Sequence, residues 1–416
     1  MNLEDLESKE SLIREFYTWL LDDDRILNKD VIFEKEIDFS LVPYYNDANI
    51  YYPKQIAAFF DTKAMKRLGR ISQLDLAIDE YPNVYHNRLE HSKGVYYRKL
   101  EEMLSNFQNP CWKKNIENNK LKLHLLAELI KMAGHDIGHP PLSHGLEIIM
   151  FSHRGIHEEI GQRIMLEDSE IQAALKNISP DLPDILSELY NKSILNFNEH
   201  DDSNNDVDRL DYLVRDSLYT GNPIHLPHSN YETVSVELDN NGHHLTNTDG
   251  SIIISNNSTS TIDIYDYSAL SDIENFLETR ENGYKNIYFL PQTTIKEKTI
   301  LAFFEAFLES DSQSGMALKN YINEMKSANI STFDLSLFED WDDIKFYSQI
   351  IDVIKNHENS EVRDLAIMTL PNMTSFLNMI YSHLEMYAKN RNYSEEDKHF
   401  LCEVKSLIHS KRISRS

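Results

Sequence analysis

Glycine is scarce in this chain, with 12 in 416 positions, well below the roughly 7% of an average protein. Sandwiches and barrels need glycine at tight turns and bulges. A chain this poor in it predicts long helices, and the apolar residues are spaced to match. Leu12, Ile13, Phe16, Leu20 and Leu21 recur at helical intervals within residues 1–30. LKLHLLAELIKMA, residues 121–133, is apolar nearly all round, as a buried helix is. Helical patterns also cover 55–76, 155–178, 183–195 and 206–220, and resume from 266 to 409. Between them VSVELDNNGHHLTNTDGSIIIS alternates apolar and polar residues around Asn-Asn-Gly and Asp-Gly, which predicts a β-hairpin over about 232–256. Residues 31–57 read as loop with a short strand. The expected fold is mainly α. An N-terminal helical and irregular segment (1–57) precedes a helical core (58–225), a small β-hairpin region (226–265), a helical C-terminal region packing on the core (266–409) and a basic tail (410–416).

The formal charge is −27. A field of that sign disfavours long nucleic acids and anionic membranes as partners. A small anionic substrate remains admissible where local cations or a metal reverse the field. Two cysteines, Cys111 and Cys402, make no disulfide framework and fit a reducing compartment. The start, MNLEDLESKESLIREF, is acidic and has no apolar core of a signal peptide. No run approaches the ~18 apolar residues of a membrane span. The expectation is a cytoplasmic protein without a membrane partner.

Chemistry concentrates in KMAGHDIGHPPLSHGLEIIMFSHRGIHEEIG, residues 131–161. It holds His135, His139, His144, His153 and His157, interleaved with Asp136, Glu147, Glu158 and Glu159. Imidazoles and carboxylates are the ligands of transition metals and the groups of acid–base catalysis. His135 and His139 are four apart, so a helix would put them on one face. Gly138, Pro140 and Pro141 predict that such a helix breaks soon after. Two further stretches stand out. NVYHNRLEHSKGVYY (83–97) places His91 at the opening of an apolar-periodic segment. DVDRLDYLVRDSLYTG (206–221) spaces Val207, Leu210, Val214 and Leu218 for a buried stripe, with Asp208, Tyr212 and Arg215 on another face and Asp211 near them. A solvated face of ion pairs would account for that second face. The like charges of Asp206, Asp208 and Asp211 persist more easily where a cation offsets them.

In order along the chain, His91, then His135-Asp136, then Asp208 spell H…HD…D. With NRLEHS, GHDIGHPPLSHGLE, HEEIG and DVDRLDYLVRDS in this sequence, residues from about 60 to 295 resemble the HD-domain phosphohydrolases. Within them they look like the deoxynucleoside triphosphate triphosphohydrolases, the bacterial dGTPase-type and vertebrate SAM- and HD-domain enzymes. The resemblance implies that 58–225 is an HD-domain catalytic core. It implies a divalent ion (Mn, Mg, Fe or Zn) on His91, His135, Asp136 and Asp208, and hydrolysis of deoxynucleoside triphosphates to deoxynucleoside and tripolyphosphate. The leaving 5′ oxygen needs a proton, and His144 matches the family's acid, oriented by Glu147. His139, His157 and Glu158 match positions that bind phosphate oxygens or relay protons. Arg88, Arg209 and Tyr212 match the triphosphate grip. Gln73 and Asp216 match contacts to the sugar 3′-hydroxyl. RENGYKNIY resembles the segment that supplies a phosphate-binding Arg and a base-side Tyr, which would be Arg280 and Tyr288, with Lys285 nearby. Two positions depart from the vertebrate enzyme: Arg209 replaces a Lys, and Asn286 stands where a second Arg is found.

The family also implies a homo-oligomer, tetramer or hexamer, and a nucleotide effector in some members. Its roles include pool control and depletion of nucleotides in phage defence. Two other readings use the same four metal-binding positions. One is a different HD phosphohydrolase, a nucleotidase or phosphodiesterase. The other is a catalytically silent nucleotide sensor, although degenerate members usually lose a ligand and this chain has all four.

Overall fold

The computed structural model describes residues 3–30, 32–37, 49–81, 84, 86–151, 156–191, 206–221, 280–327 and 332–372. The expected hairpin over 232–256, the tail 410–416 and His153 lie outside the described residues. The fold is mainly α, as the glycine count and the helical periodicity predict. Strands β1 (Phe33–Ile37) and β2 (Asn49–Pro53) pair antiparallel with Lys35 opposite Tyr51. In chain order the helices are α1 (Leu3–Leu21), α2 (Lys54–Phe60), α3 (Lys63–Leu68), α4 (Arg88–Phe107), α5 (Pro110–Asn118), α6 (Lys122–Ala133), α7 (Ser143–Phe151), α8 (Ile156–Glu167), α9 (Ser169–Ile178), α10 (Leu182–Asn191) and α11 (Asp206–Tyr219). A 3₁₀ turn (Asp75–Asp79) lies before α4 and a wide helical turn (Tyr284–Tyr288) follows α11. The C-terminal half adds α12 (Pro291–Glu309), α13 (Met316–Ser327), α14 (Leu335–Glu339), α15 (Asp343–Asn356) and α16 (Ser360–Thr369).

Local chemistry sets the breaks that periodicity alone runs through. The pattern over 155–178 is two helices, because the Asp168 side chain accepts the Ile171 N–H at 2.7 Å and starts α9. The pattern over 55–76 is interrupted at Thr62, whose backbone is extended. Helix α4 opens on a capping box, with Asn87 accepting from the Glu90 N–H and Glu90 accepting from the Asn87 N–H.

Helix α6 packs between α4 and α10, and α11 packs on α4. One apolar core runs from Ile13 through Leu126 and Ile164 to Ala366, joining both halves of the described chain. Arg67 fastens the halves together from inside. It is fully buried and donates to three backbone carbonyls: Nε to Trp341 at 2.7 Å, Nη1 to Ile137 at 3.2 Å, and Nη2 to His139. Its guanidinium lies over the Phe338 ring at 4.5 Å. Burial lowers its pKa to about 10, so it stays charged at neutral pH. Among the described residues no helix is long and apolar enough to cross a membrane.

Candidate active site

Helix α6 ends at Ala133, where the apolar pattern over 121–133 ends, and Gly134 closes it before the HD pair is reached. His135 and His139 therefore do not share a helical face. They lie in the turns that follow, with Asp136 between them. Its Oδ1 is 3.3 Å from His135 Nε2 and 3.2 Å from His139 Nε2. The turn is pressed against α8. A Cβ on Gly138 would sit 2.0 Å from the His157 carbonyl oxygen, so only glycine permits this approach. The approach stacks the His139 ring on His157, centroids 3.9 Å apart and planes at 13°.

His91, His135 and Asp208 bring one ligand atom each within 4.8 Å of one another. Asp208 Oδ1 is 2.9 Å from His91 Nε2 and 3.3 Å from His135 Nε2. Donor atoms of one metal ion at ~2.1 Å lie about 3.0–3.4 Å apart at right-angled to tetrahedral openings, so the spacing fits an ion. Asp136 borders the group, its Oδ2 3.6 Å from His91 Nε2. The tautomers fit as well. His91 Nδ1 donates to Asp211 at 2.8 Å and His135 Nδ1 donates to the Met132 carbonyl at 2.9 Å. Both rings thus turn Nε2 toward Asp208, and the buried His135 Nε2 has no hydrogen-bond partner. Outer partners of this kind are how proteins aim imidazole ligands.

Electrostatics agree. Burial opposes charge on these groups, yet Asp208, Asp211 and Asp136 raise the His91 pKa to about 10. Against the same burial, Asp136 and Asp208 raise that of His135. Asp208 stays well below the usual carboxylate range against its burial, held there by His135 and His91. The carboxylates thus call for positive charge at this point. A divalent ion held by His91, His135 and Asp208 would supply that charge in place of imidazole protons.

A second group adjoins the first through Asp136 and His139. Glu147 is fully buried on α7. Its Oε2 accepts from His144 Nδ1 at 2.9 Å, and its Oε1 accepts from His157 Nδ1 at 2.9 Å and from the His157 backbone N–H at 2.6 Å. Burial works to raise the Glu147 pKa, but the two imidazoles hold it ionised far below the normal range. Burial lowers the His144 pKa, with the Glu147 hydrogen bond opposing and Arg88 and His157 adding to the drop. His139, fully buried beside Arg88 and His157, is pushed down further. The His144 side chain is 36% exposed and so reachable from solvent.

Arg88 ties the groups together, with Nη1 on Asp136 Oδ2 at 2.5 Å and Nε on Ser143 Oγ at 2.8 Å. Ser143 and Leu142 both have left-handed backbones, φ 49° and 58°. Each such non-glycine residue costs roughly 1–2 kcal/mol.

A solvated ion-paired face, one of the two accounts of the polar side of α11, does not hold: Asp208 and Tyr212 are half-buried and the rest of that side is buried. Asp211, Arg215, Asp216 and Ser217 are all at or below 1% exposure, while Leu210 and Leu218 of the apolar stripe are half-buried. Space for this polar face comes from Gly94 on α4, where a Cβ would lie 2.1 Å from Asp211 Oδ1. Asp216 accepts from His86 Nε2 at 2.6 Å and from the Tyr288 hydroxyl at 2.5 Å. Gln73 is buried beside His86, its N–H donating to the His86 carbonyl at 3.3 Å and its Oε1 without a hydrogen-bond partner. Tyr212 is half-buried, its ring 6.4 Å from His91 and 6.0 Å from Tyr288. Arg209 is half-buried on α11, and Arg280 lies over the Tyr284 ring at 5.4 Å. Glu158 is exposed. Lys285 pairs with Glu281 at the surface, both about two-thirds exposed, so it is not gathered with the histidines.

Sequence reading passed over His86, Ser143 and the aiming role of Asp211. Asp211 carried a signal in the like-charge run of α11. His86 and Ser143 carried none, since lone polar residues in loops are common.

No family model matches the chain. An uncharacterized protein of Mycoplasma genitalium is 28% identical over 346 residues, covering 79% of this chain and 73% of that protein. A protein of Acanthamoeba polyphaga mimivirus named for an HD domain is 33% identical over 178 residues, 38% of each chain. The deoxynucleoside triphosphate triphosphohydrolase SAMHD1 homolog of Dictyostelium discoideum is 27% identical over 180 residues, 41% of this chain and 34% of that protein. Among solved structures, a phosphohydrolase from Bacteroides thetaiotaomicron shares the fold with a TM-score of 0.56 at 20% identity, over 81% of this chain and 76% of that one. The fold is thus shared with a phosphohydrolase, and the two partial similarities, each over about two fifths of this chain, are to proteins named for an HD domain and for a triphosphohydrolase.

Proposed function

We propose that this protein is a metal-dependent phosphohydrolase that cleaves deoxynucleoside triphosphates to deoxynucleoside and tripolyphosphate. The observation that carries the reading is the adjacency of two groups. The His91, His135 and Asp208 donor set lies beside the His144, Glu147 and His157 set, with Asp136 and His139 3.2 Å apart between them. A divalent ion on the first set would supply electrophilic pull on a phosphoryl oxygen and a water of lowered pKa. Arg88, fixed by Asp136 and Ser143, adds positive charge where phosphate oxygens would lie. His144 gives its Nδ1–H to Glu147 and keeps Nε2 for a proton bound for the leaving oxygen. The ionised Glu147 stabilises the imidazolium that carries that proton. Asp136 belongs to the ligand set by position and borders it in space.

The choice of a deoxynucleoside triphosphate rests on the motif order and on the Dictyostelium relative's name. The buried Asp216 and Gln73 would read the sugar 3′-hydroxyl, the half-buried Tyr288 would lie on the base side, and Arg209 and Arg280 would hold the phosphates. A homo-oligomer and a nucleotide effector belong to the same reading. A second reading, an HD nucleotidase or phosphodiesterase, draws on Lys285, whose pairing with Glu281 leaves fewer cations for a triphosphate.

Product analysis tests the proposal. Purified protein is given each dNTP, GTP and an equimolar dNTP mixture with Mn or Mg, and products are resolved by chromatography and phosphorus NMR. Deoxynucleoside plus tripolyphosphate, abolished by Asp136→Ala, is the expected result. Orthophosphate or pyrophosphate as first product would transfer support to the second reading.

A further inference from the structure

Helix α7 carries His144 and Glu147, yet no side chain just before it caps it. Pro140, Pro141 and Leu142 have no acceptor side chain, and Ser143 Oγ is used elsewhere, accepting from Arg88 and donating to the Ser72 carbonyl at 3.2 Å. The acceptors come from far along the chain. Asp343 Oδ1 accepts the Leu142 N–H at 2.8 Å, and its Oδ2 accepts the Ser72 N–H at 2.8 Å. Asp75 Oδ2 accepts the Gly145 N–H at 2.7 Å. Four non-glycine residues among those described have left-handed backbones, and three of them, Asp75, Leu142 and Ser143, meet here. Strain that would relax in isolation persists only when surrounding contacts over-determine it. Asp343 is 1% exposed at the first position of α15, and its own N–H donates to the Arg70 carbonyl at 3.2 Å.

We propose that Asp343, seconded by Asp75, is a positioning residue for the reaction, clamping the left-handed Leu142–Ser143 turn so that α7 presents His144 and Glu147 in working register. The inference rests on the phosphohydrolase reading for its catalytic consequence. It makes the C-terminal half part of the site without contributing a group to the chemistry. Asp343 is suited to this because its two oxygens each accept an N–H group, from two different segments, whereas an amide offers one acceptor oxygen and turns an NH2 donor toward the other N–H.

The test compares the full-length Asp343→Asn, Asp75→Gly and Asp342→Asn variants with the wild type. Asp75→Gly keeps the left-handed turn while deleting the acceptor. Asp342→Asn keeps a good cap on α15 and removes only the ion pair with Arg70. For Asp343→Asn, kcat is expected to fall on the order of tenfold to a hundredfold, the scale of a misplaced catalytic group. KM and metal content should stay near wild type. Asp75→Gly should shift the same way by less, and Asp342→Asn should keep its kcat. A kcat for Asp343→Asn within twofold of wild type, or a loss matched by Asp342→Asn, would overturn the inference. A second readout does not need activity: nitrogen-15 histidine NMR of the His144 Nδ1–H donated to Glu147. An inactive wild type whose His144 resonance moves in Asp343→Asn would sink the phosphohydrolase reading and keep the clamp. An unmoved resonance would sink the clamp whatever the activity.

Discussion

Asp211 accepts the Nδ1 proton of His91 at 2.8 Å while Arg215 grips the same carboxylate through Nε at 2.8 Å and Nη2 at 3.1 Å. All three groups are buried. The chain Arg215–Asp211–His91 therefore sets which His91 nitrogen faces Asp208. Asp211→Asn is expected to weaken metal affinity by about 10–100-fold, the usual scale for an outer partner of a ligating histidine. Calorimetric titration with Mn or Zn checks it. An unchanged affinity would mean that packing alone orients the ring.

Metal binding and proton delivery should separate by mutation. Asp208→Ala and His135→Ala are expected to lose most of the bound metal, read by elemental analysis after gel filtration. His144→Gln should retain the metal and lower kcat by roughly 10²–10⁴-fold, the range for loss of a general acid. Metal loss in His144→Gln would instead place that ring among the ligands.

Arg67→Ala should be among the most destabilising changes in the described core. It leaves the carbonyls of Trp341, Ile137 and His139 without their donor and opens a cavity beside Phe338. A cost of about 3–5 kcal/mol is expected from the combined cavity and orphaned acceptors. Chemical denaturation with linear extrapolation measures it. A loss under 1 kcal/mol would show that water or a neighbouring donor takes over.

Asp343 gives stability a specific pH dependence. Burial pushes its carboxyl up to about 7 from the ordinary 3.8, with the Leu142 and Ser72 N–H groups working against the rise. The folded chain therefore holds this proton more tightly than the unfolded chain. Its contribution is greatest while the proton is bound, is lost as pH rises from about 4 to 7, and is flat above. By linkage the span is on the order of a few kcal/mol. The stability difference, wild type minus Asp343→Asn, should shrink between pH 5 and pH 8 in thermal melts. Parallel curves would assign the pH dependence to other groups.

Periodicity and glycine scarcity made the mainly helical fold legible, because burying a helix stripe needs only a local repeat. The helix breaks at Thr62 and Asp168 were less legible, since a cap or an extended residue competes with the same apolar spacing, whereas the end at Ala133 follows the apolar pattern. The histidine run marked where chemistry lies, but not how it divides. His135 and His139, four apart in sequence, serve different groups because Gly138 lets the turn collapse onto α8.

The sequence by itself determined the inventory: which imidazoles and carboxylates exist, and that helices carry or flank them. Tertiary structure decided their use. A hydrogen bond such as Asp211 to His91 spans 120 residues, and Asp343 to Leu142 spans 201. No local pattern encodes such pairs, because the energy that selects them is released only when the helices pack and water leaves. That packing buried the charged face of α11, turned the His91 and His135 Nε2 atoms on one carboxylate, and held a strained turn under α7 with a residue from the far end of the fold.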